Sequence, residues 1–372
     1  KDAIELSDSL YAKGDLENAR AEYINALRFK PNQQEAVAKV TEINKMLGFT
    51  PATEKSDSTG ISKSETGNPE RTTATSVADS GKYGAFGASI SGDTGMITLE
   101  NNKIELKIMQ KGGRVFSARL KDYRTYDSLP LILFSGDSTV FGFNFYTADN
   151  KAVQTNDLYF TPVSDNKSYS AVSESKSVQL RLMAGENKYI EYKYTLAPDK
   201  YMVDFDVTFK SMEGIIASNV SSLTLDWRMY IPQQEMGRQN EEYYTTIKYK
   251  YYQDDVEGIR LRQSKDVEQR DLPTKLSWVA FQDQFFSSVL ISKEFFINGT
   301  VKSTLTPTSP DYIRYYTSEV GVPFSPGQET ALGMKLYYGP NHISTLRKEG
   351  LELEKLVFLG KNIIGWINRF II

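Results

Sequence analysis

The 372-residue chain carries 44 basic and 47 acidic side chains, a formal net charge of −3, and that balance removes the electrostatic case for nucleic-acid binding. It has no cysteine and one histidine, His342, which excludes a disulfide framework, a thiolate nucleophile, a cysteine zinc site and a paired-histidine metal motif. No catalytic residue, cofactor or metal site is therefore expected. Neither a signal peptide nor an apolar run of about eighteen residues, enough to span a bilayer, is read in the sequence.

Residues 1–49 read as helices. Gly14, Ala19, Tyr23, Ala26 and Pro31 put small residues where two antiparallel helices would touch, and the proline closes the second helix. The offsets resemble a tetratricopeptide repeat, and two readings stand: a docking helix pair for a partner peptide, or a truncated or fused fragment, since such solenoids need about three repeats. Residues 50–82 turn to Ser, Thr, Gly, Pro, Glu and Lys, a composition that cannot offset its own ordering entropy and predicts a flexible linker.

Residues 83–341 are governed by period two. Ile104, Leu106 and Ile108 alternate with Glu105 and Lys107; Phe141, Phe143 and Phe145 repeat the pattern, as do Val178, Leu180 and Leu182. Ile190 to Leu196, Val203 to Phe209 and Leu332 to Tyr338 continue it. The 23 Tyr and 19 Phe of the chain suit half-buried sheets. Antiparallel strands with one apolar face each predict two stacked sheets. The stretch Leu276 to Ile291 reads as a buried hairpin, with Gln282, Asp283 and Gln284 supplying the connection. Gly112-Gly113 predicts a tight turn with positive φ between two further strands.

Three stretches carry a resemblance. The Leu276–Ile291 hairpin, with Trp278, Ala280, Phe285 and Phe286, is one. Asn102 to Tyr123, with its Lys-Gly-Gly turn, is another, and Leu336-Tyr-Tyr-Gly-Pro340 is the third. Taken in chain order, they resemble the periplasmic domain of YidC-type membrane protein insertases, in a Bacteroidetes-like form. The resemblance implies a mainly β fold: a large antiparallel β-supersandwich, galactose mutarotase-like, followed by C-terminal helices. A flexible tether before the sandwich also fits that family, whose chains usually begin with a transmembrane helix where this one has the helical segment.

Residues 342–372 change period again. Ile343 to Leu359 suit a short helix and a connector. Leu359, Ile363, Ile367, Phe370 and Ile371 then recur at helical steps with Lys361 and Arg369 elsewhere on the wheel, an amphipathic pattern too short and polar to span. Trp366 and the basic residues suit a helix lying in the membrane interface, with Leu359, Ile363, Trp366, Ile367, Arg369 and Phe370 as its contacts. A helix packed on the sandwich edge would show the same stripe.

Other candidates are read as structural. His342 lacks a second catalytic partner in the sequence, so a surface or helix-start role is expected. Tyr243, Tyr244, Tyr249, Tyr251 and Tyr252 suit strand packing better than an aromatic surface. Asp254, Asp255 and Glu257 suit a solvated turn, Ser264 to Asp271 an exposed connection, and Arg114 and Arg119 the exposed face of the first hairpin. By resemblance the domain is noncatalytic and sits at the periplasmic face of the bacterial inner membrane. Its partners would be Sec translocon subunits and nascent membrane proteins, with the membrane surface met through the C-terminal helix. The alternative is a carbohydrate-binding or mutarotase-like sugar-processing sandwich.

Overall fold

The structure is a computed structural model. It describes residues 81–136, 139–259, 266–306, 309, 311–326 and 329–357, together with residues 8, 11, 12, 19, 23, 38, 39, 42 and 43. The chain divides into two compact units, Lys1–Arg71 and Thr72–Ile372. In the first, Ala19, Tyr23 and Ile43 are buried, the Tyr23 hydroxyl donates to Asp8, and Lys39 pairs with Glu42 at 3.2 Å one helical turn away.

In the second unit the strands begin with β1 (Met96–Glu100), β2 (Ile104–Met109), β3 (Val115–Arg124), β4 (Pro130–Ser135), β5 (Val140–Tyr146), β6 (Ala152–Gln154) and β7 (Thr161–Pro162). They continue as β8 (Ser168–Ser170), β9 (Lys176–Gly185), β10 (Lys188–Leu196), β11 (Met202–Lys210) and β12 (Ser222–Pro232). Helix α1 (Arg238–Tyr244) precedes β13 (Thr246–Tyr251), β14 (Val256–Gly258), β15 (Val267–Leu272), β16 (Leu276–Asp283) and β17 (Phe286–Phe296). The last strands are β18 (Gly299–Leu305), β19 (Tyr312–Pro323) and β20 (Thr330–Pro340), and helix α2 (Ile343–Glu349) follows.

A nine-stranded sheet, in the order β14-β13-β16-β17-β20-β11-β10-β9-β7, forms one layer. The opposite layer is split into a six-stranded sheet, β15-β18-β19-β12-β5-β6, and a five-stranded one, β4-β3-β2-β1-β8. Both smaller sheets meet the same face of the large one: Trp227 stacks on Phe281 at 3.8 Å, Phe141 meets Phe205 at 5.5 Å, and Phe134 meets Tyr338 at 5.4 Å. The register puts Phe281 opposite Ser288, and Ser288 opposite Tyr338, so these rings share one face. Pairing is antiparallel except between β1 and β8. The expected mainly β antiparallel sandwich is therefore present, with one of its two layers divided.

The alternation has its cause in this layering. Ile190, Tyr192, Tyr194 and Leu196 of β10 are each fully buried, while the other face of the same sheet carries Arg181–Glu191 at 2.7 Å and Lys293–Asp206 at 2.7 Å. The Lys-Gly-Gly turn has φ of 79° at Gly112 and 61° at Gly113. A Cβ on Gly113 would lie 2.9 Å from the Phe160 ring, so both conformation and space demand glycine there.

Three expectations need correction. Gln282 and Asp283 belong to β16 and are buried; the turn is Gln284–Phe285, because Asp283 still pairs with Phe286. Within Ser264–Asp271, residues 267–271 belong to β15, an edge strand paired only with β18; with most of its residues exposed, no alternation marks it. Arg114 is buried and donates to the Thr139 hydroxyl at 2.6 Å, because the tight turn folds it inward. Arg119 remains half-exposed beside Glu105 at 3.7 Å.

Candidate functional site

The expected interfacial residues Leu359, Ile363, Trp366, Ile367, Arg369 and Phe370 lie outside the described residues. What the structure does show is how the chain is led towards them. After β20 the chain does not leave the sandwich; residues 341–357 run back across the outer face of the nine-stranded sheet as a strap.

Asn341 starts it. Its side-chain amide donates to the carbonyls of Gln284 at 3.0 Å and Phe286 at 3.2 Å, and its Oδ1 accepts the Ser287 hydroxyl at 2.7 Å. The end of β20 is thereby stapled to the β16–β17 turn. His342 follows as the residue before α2, exposed, its Nδ1 beside the Ser344 hydroxyl at 3.1 Å. Helix α2 buries Ile343 and Leu346. Gly350, Leu351 and Glu352 then take φ of 72°, 60° and 57°, three successive left-handed residues of which two have a side chain to strain. This reversal lays the 3-10 turn Leu353–Leu356 flat, with Leu353 and Leu356 buried.

Polar anchors rise from the sheet to hold the reversal. Trp278 is fully buried and its indole Nε1 donates to the Leu351 carbonyl at 2.9 Å. The Lys248 ammonium donates to the carbonyls of Lys355 at 2.9 Å and Leu356 at 3.0 Å, satisfying groups a helix end leaves without partners. Burial pushes the Lys248 ammonium down to about 8. Lys250 pairs with Glu352 at 2.5 Å, and Lys355 with both Glu352 at 2.6 Å and Asp255 at 2.8 Å. Those hydrogen bonds from Lys250 and Lys355 hold the Glu352 carboxyl down at about 2. The strap can fix the exit direction of the chain against a rigid sheet, which is mechanical coupling rather than bond chemistry.

The other sequence candidates do not converge. Tyr243 and Tyr244 meet each other on α1 at 5.0 Å, whereas Tyr249 and Tyr251 pair on β13 at 5.5 Å. Tyr252 instead meets Phe295 at 5.7 Å. Asp255 belongs to the strap network, and Glu257 faces Arg270 at 3.4 Å. Among the described residues there is no cluster of three or more His, Asp or Glu able to hold a metal ion, and no helix is long and apolar enough to cross a membrane. Lys248, Lys250 and Asn341 escaped the sequence reading; Gly350, after a short helical pattern, was the available sign of a helix stop.

Comparison with known proteins gives this architecture relatives. The family described as YidC periplasmic domain matches residues 96–372. The membrane protein insertase YidC of Parabacteroides distasonis is 38% identical over 298 residues, covering 78% of this chain and 45% of that protein. The one from Azobacteroides pseudotrichonymphae is 37% identical over 318 residues, with 83% and 49% covered. The chain thus spans about half the length of the curated relatives it matches. Among solved structures, the periplasmic domain of Thermotoga maritima YidC aligns at 12% identity with a TM-score of 0.33, covering 72% of this chain and 94% of that one. A galactose mutarotase-like protein from Lactobacillus casei aligns at 14% identity with a TM-score of 0.41, covering 66% and 100%. With three quarters of its residues matched by the family model and these two relatives more than a third identical, the chain belongs to the YidC periplasmic domain family.

Proposed function

We propose that this chain is the noncatalytic periplasmic module of a membrane protein insertase. The whole protein would place inner-membrane proteins in the bilayer alone or with the Sec translocon. The observation that carries the reading is the family match over residues 96–372, joined to relatives named as membrane protein insertases. In this organisation residues 1–49 are a tetratricopeptide-like helical segment and 50–82 a linker. Residues 83–341 are the sandwich, and 342–372 carry the strap and an interfacial helix. The strap hands the chain to Leu359, Ile363, Trp366, Ile367, Arg369 and Phe370, which lie against the membrane surface at its periplasmic face. Translocon subunits and emerging membrane proteins are the partners of the module.

A noncatalytic role fits the surroundings of His342, whose ring nitrogen meets the Ser344 and Thr345 hydroxyls rather than a carboxylate that would tune it as an acid or base. The test is rescue. In cells depleted of their own insertase, supply of the full-length protein containing this chain is expected to restore insertion of inner-membrane proteins. Expression without restored insertion would overturn the insertase reading.

A further inference from the structure

The strap turns against the preference of its own residues. Ile343, Leu346, Leu353 and Val357 fall at steps of three, seven and four, with Lys348, Glu352 and Lys355 on the opposite side of the same helical wheel. Leu, Glu, Lys and Arg fill most of residues 343–357, and all four are good helix formers. As a pattern this is one continuous amphipathic helix, interrupted only at Gly350. In the structure α2 ends instead at Glu349, and the chain reverses.

Gly350 has φ 72° and ψ −156°, a region of backbone space that essentially only glycine enters. A Cβ there would meet nothing within 4 Å, so glycine serves the conformation and not a close contact. Leu351 and Glu352 follow at φ of 60° and 57°, where a side chain is strained. Leu351 gains little from packing, since it is 43% exposed. The bend is held from the sheet. Trp278 Nε1 donates to the Leu351 carbonyl, Lys248 to those of Lys355 and Leu356, and Lys250 pairs with Glu352. Burial of Leu353 and Leu356 completes the hold.

We propose that Gly350–Leu351–Glu352 is a two-state hinge. Bent, it lays Leu353–Leu356 on the sheet; straightened, it lets α2 run on as one helix through Val357 and turns the chain away from the sandwich. Each state keeps something the other loses. The bent one buries Leu353 and Leu356, which makes it the major form. The straight one relieves two strained residues and returns the Lys248 ammonium to water. It also sets Glu352 one turn from Lys348, so that this pair replaces the one with Lys250. Whatever fixes the direction of the chain beyond Val357 then selects a hinge state, and the selection reaches β13 and β16 through Lys248 and Trp278.

The chain has no cysteine, so nitroxides on pairs of introduced cysteines can be placed in the whole chain and their separation read by pulsed electron resonance. Labels in Asp254→Cys and Glu354→Cys lie close in the bent state, because Lys355 holds Asp255 at 2.8 Å; they part when the hinge opens. Labels in Ser344→Cys and Glu354→Cys report what the opened segment becomes, since a straight helix spans about 15 Å between those positions. Gly350→Ala strains the bend and favours the helix, and is expected to raise the open population by about thirtyfold or more. The first pair should then show a longer separation and the second a narrow one. Lys248→Gln removes a hold on the sheet side and should shift both pairs the same way. If Gly350→Ala folds and keeps the short first-pair separation, the hinge is overturned; if it does not fold, an unchanged separation in Lys248→Gln overturns it. A broad second-pair distribution on opening also overturns it, because the strap then frays instead of straightening.

Discussion

Lys248 shows how one side chain carries two requirements. Its ammonium must be buried to reach the carbonyls of Lys355 and Leu356, and burial makes the charged form costly. Its folded value of about 8 lies below the ordinary 10.5, so between those values the unfolded chain binds more protons than the folded one. Stability should therefore rise with pH across that window, by at most about 3 kcal/mol in full. Denaturant melts at pH 8 and pH 10 should show the rise in the unaltered chain relative to Lys248→Met, which cannot titrate. Equal slopes in the two would mean that the ammonium is well hydrated. Lys248 was not legible as an anchor because its position in β13, between the buried Ile247 and Tyr249, is that of an outward-facing residue. Nothing in the alternation announces that the strap lies across that face.

Among the elements, the hairpins were readable and the exceptions have identifiable causes. β9, β10 and β11 alternate because one face is covered by the opposite layer and the other meets water. β16 does not alternate: all eight of its residues are buried, since the smaller sheets cover one face and the strap, through Trp278, covers the other. Gln282 and Asp283 looked like a connection because they are polar, yet both are buried within the strand. β15 was missed for the opposite reason, having neither face well covered. The Lys-Gly-Gly turn was readable because glycine is forced there. Gly113→Ala should cost about 2–4 kcal/mol, from a left-handed residue with a side chain and a Cβ driven against Phe160. A shift in the urea midpoint measures it. A cost under about 0.5 kcal/mol, the range of neutral surface changes, would mean that the turn relaxes freely.

For the whole molecule, the strap turns a sandwich into a part with a defined exit. Residues 341–357 are held at both ends, by Asn341 on the β16–β17 turn and by Lys248 on the Leu356 carbonyl. Val357 thus packs against the sandwich, two residues before Leu359. An apolar stripe on the following residues would then press the sandwich against a surface in one orientation, whereas a loose exit would only tether it. Lys361 and Arg369 add attraction to anionic headgroups, worth about 1 kcal/mol each near the surface and screened by salt. Co-sedimentation with vesicles of phosphatidylcholine, alone or with phosphatidylglycerol, should show the chain bound more strongly to the anionic vesicles. Raising the salt should weaken that binding, and removing residues 358–372 should abolish it. Retention by the shortened chain would place membrane contact on the sandwich itself. If neither chain binds, Leu359, Ile363, Ile367 and Phe370 belong against protein, and the strap then orients the module by packing instead of by the bilayer.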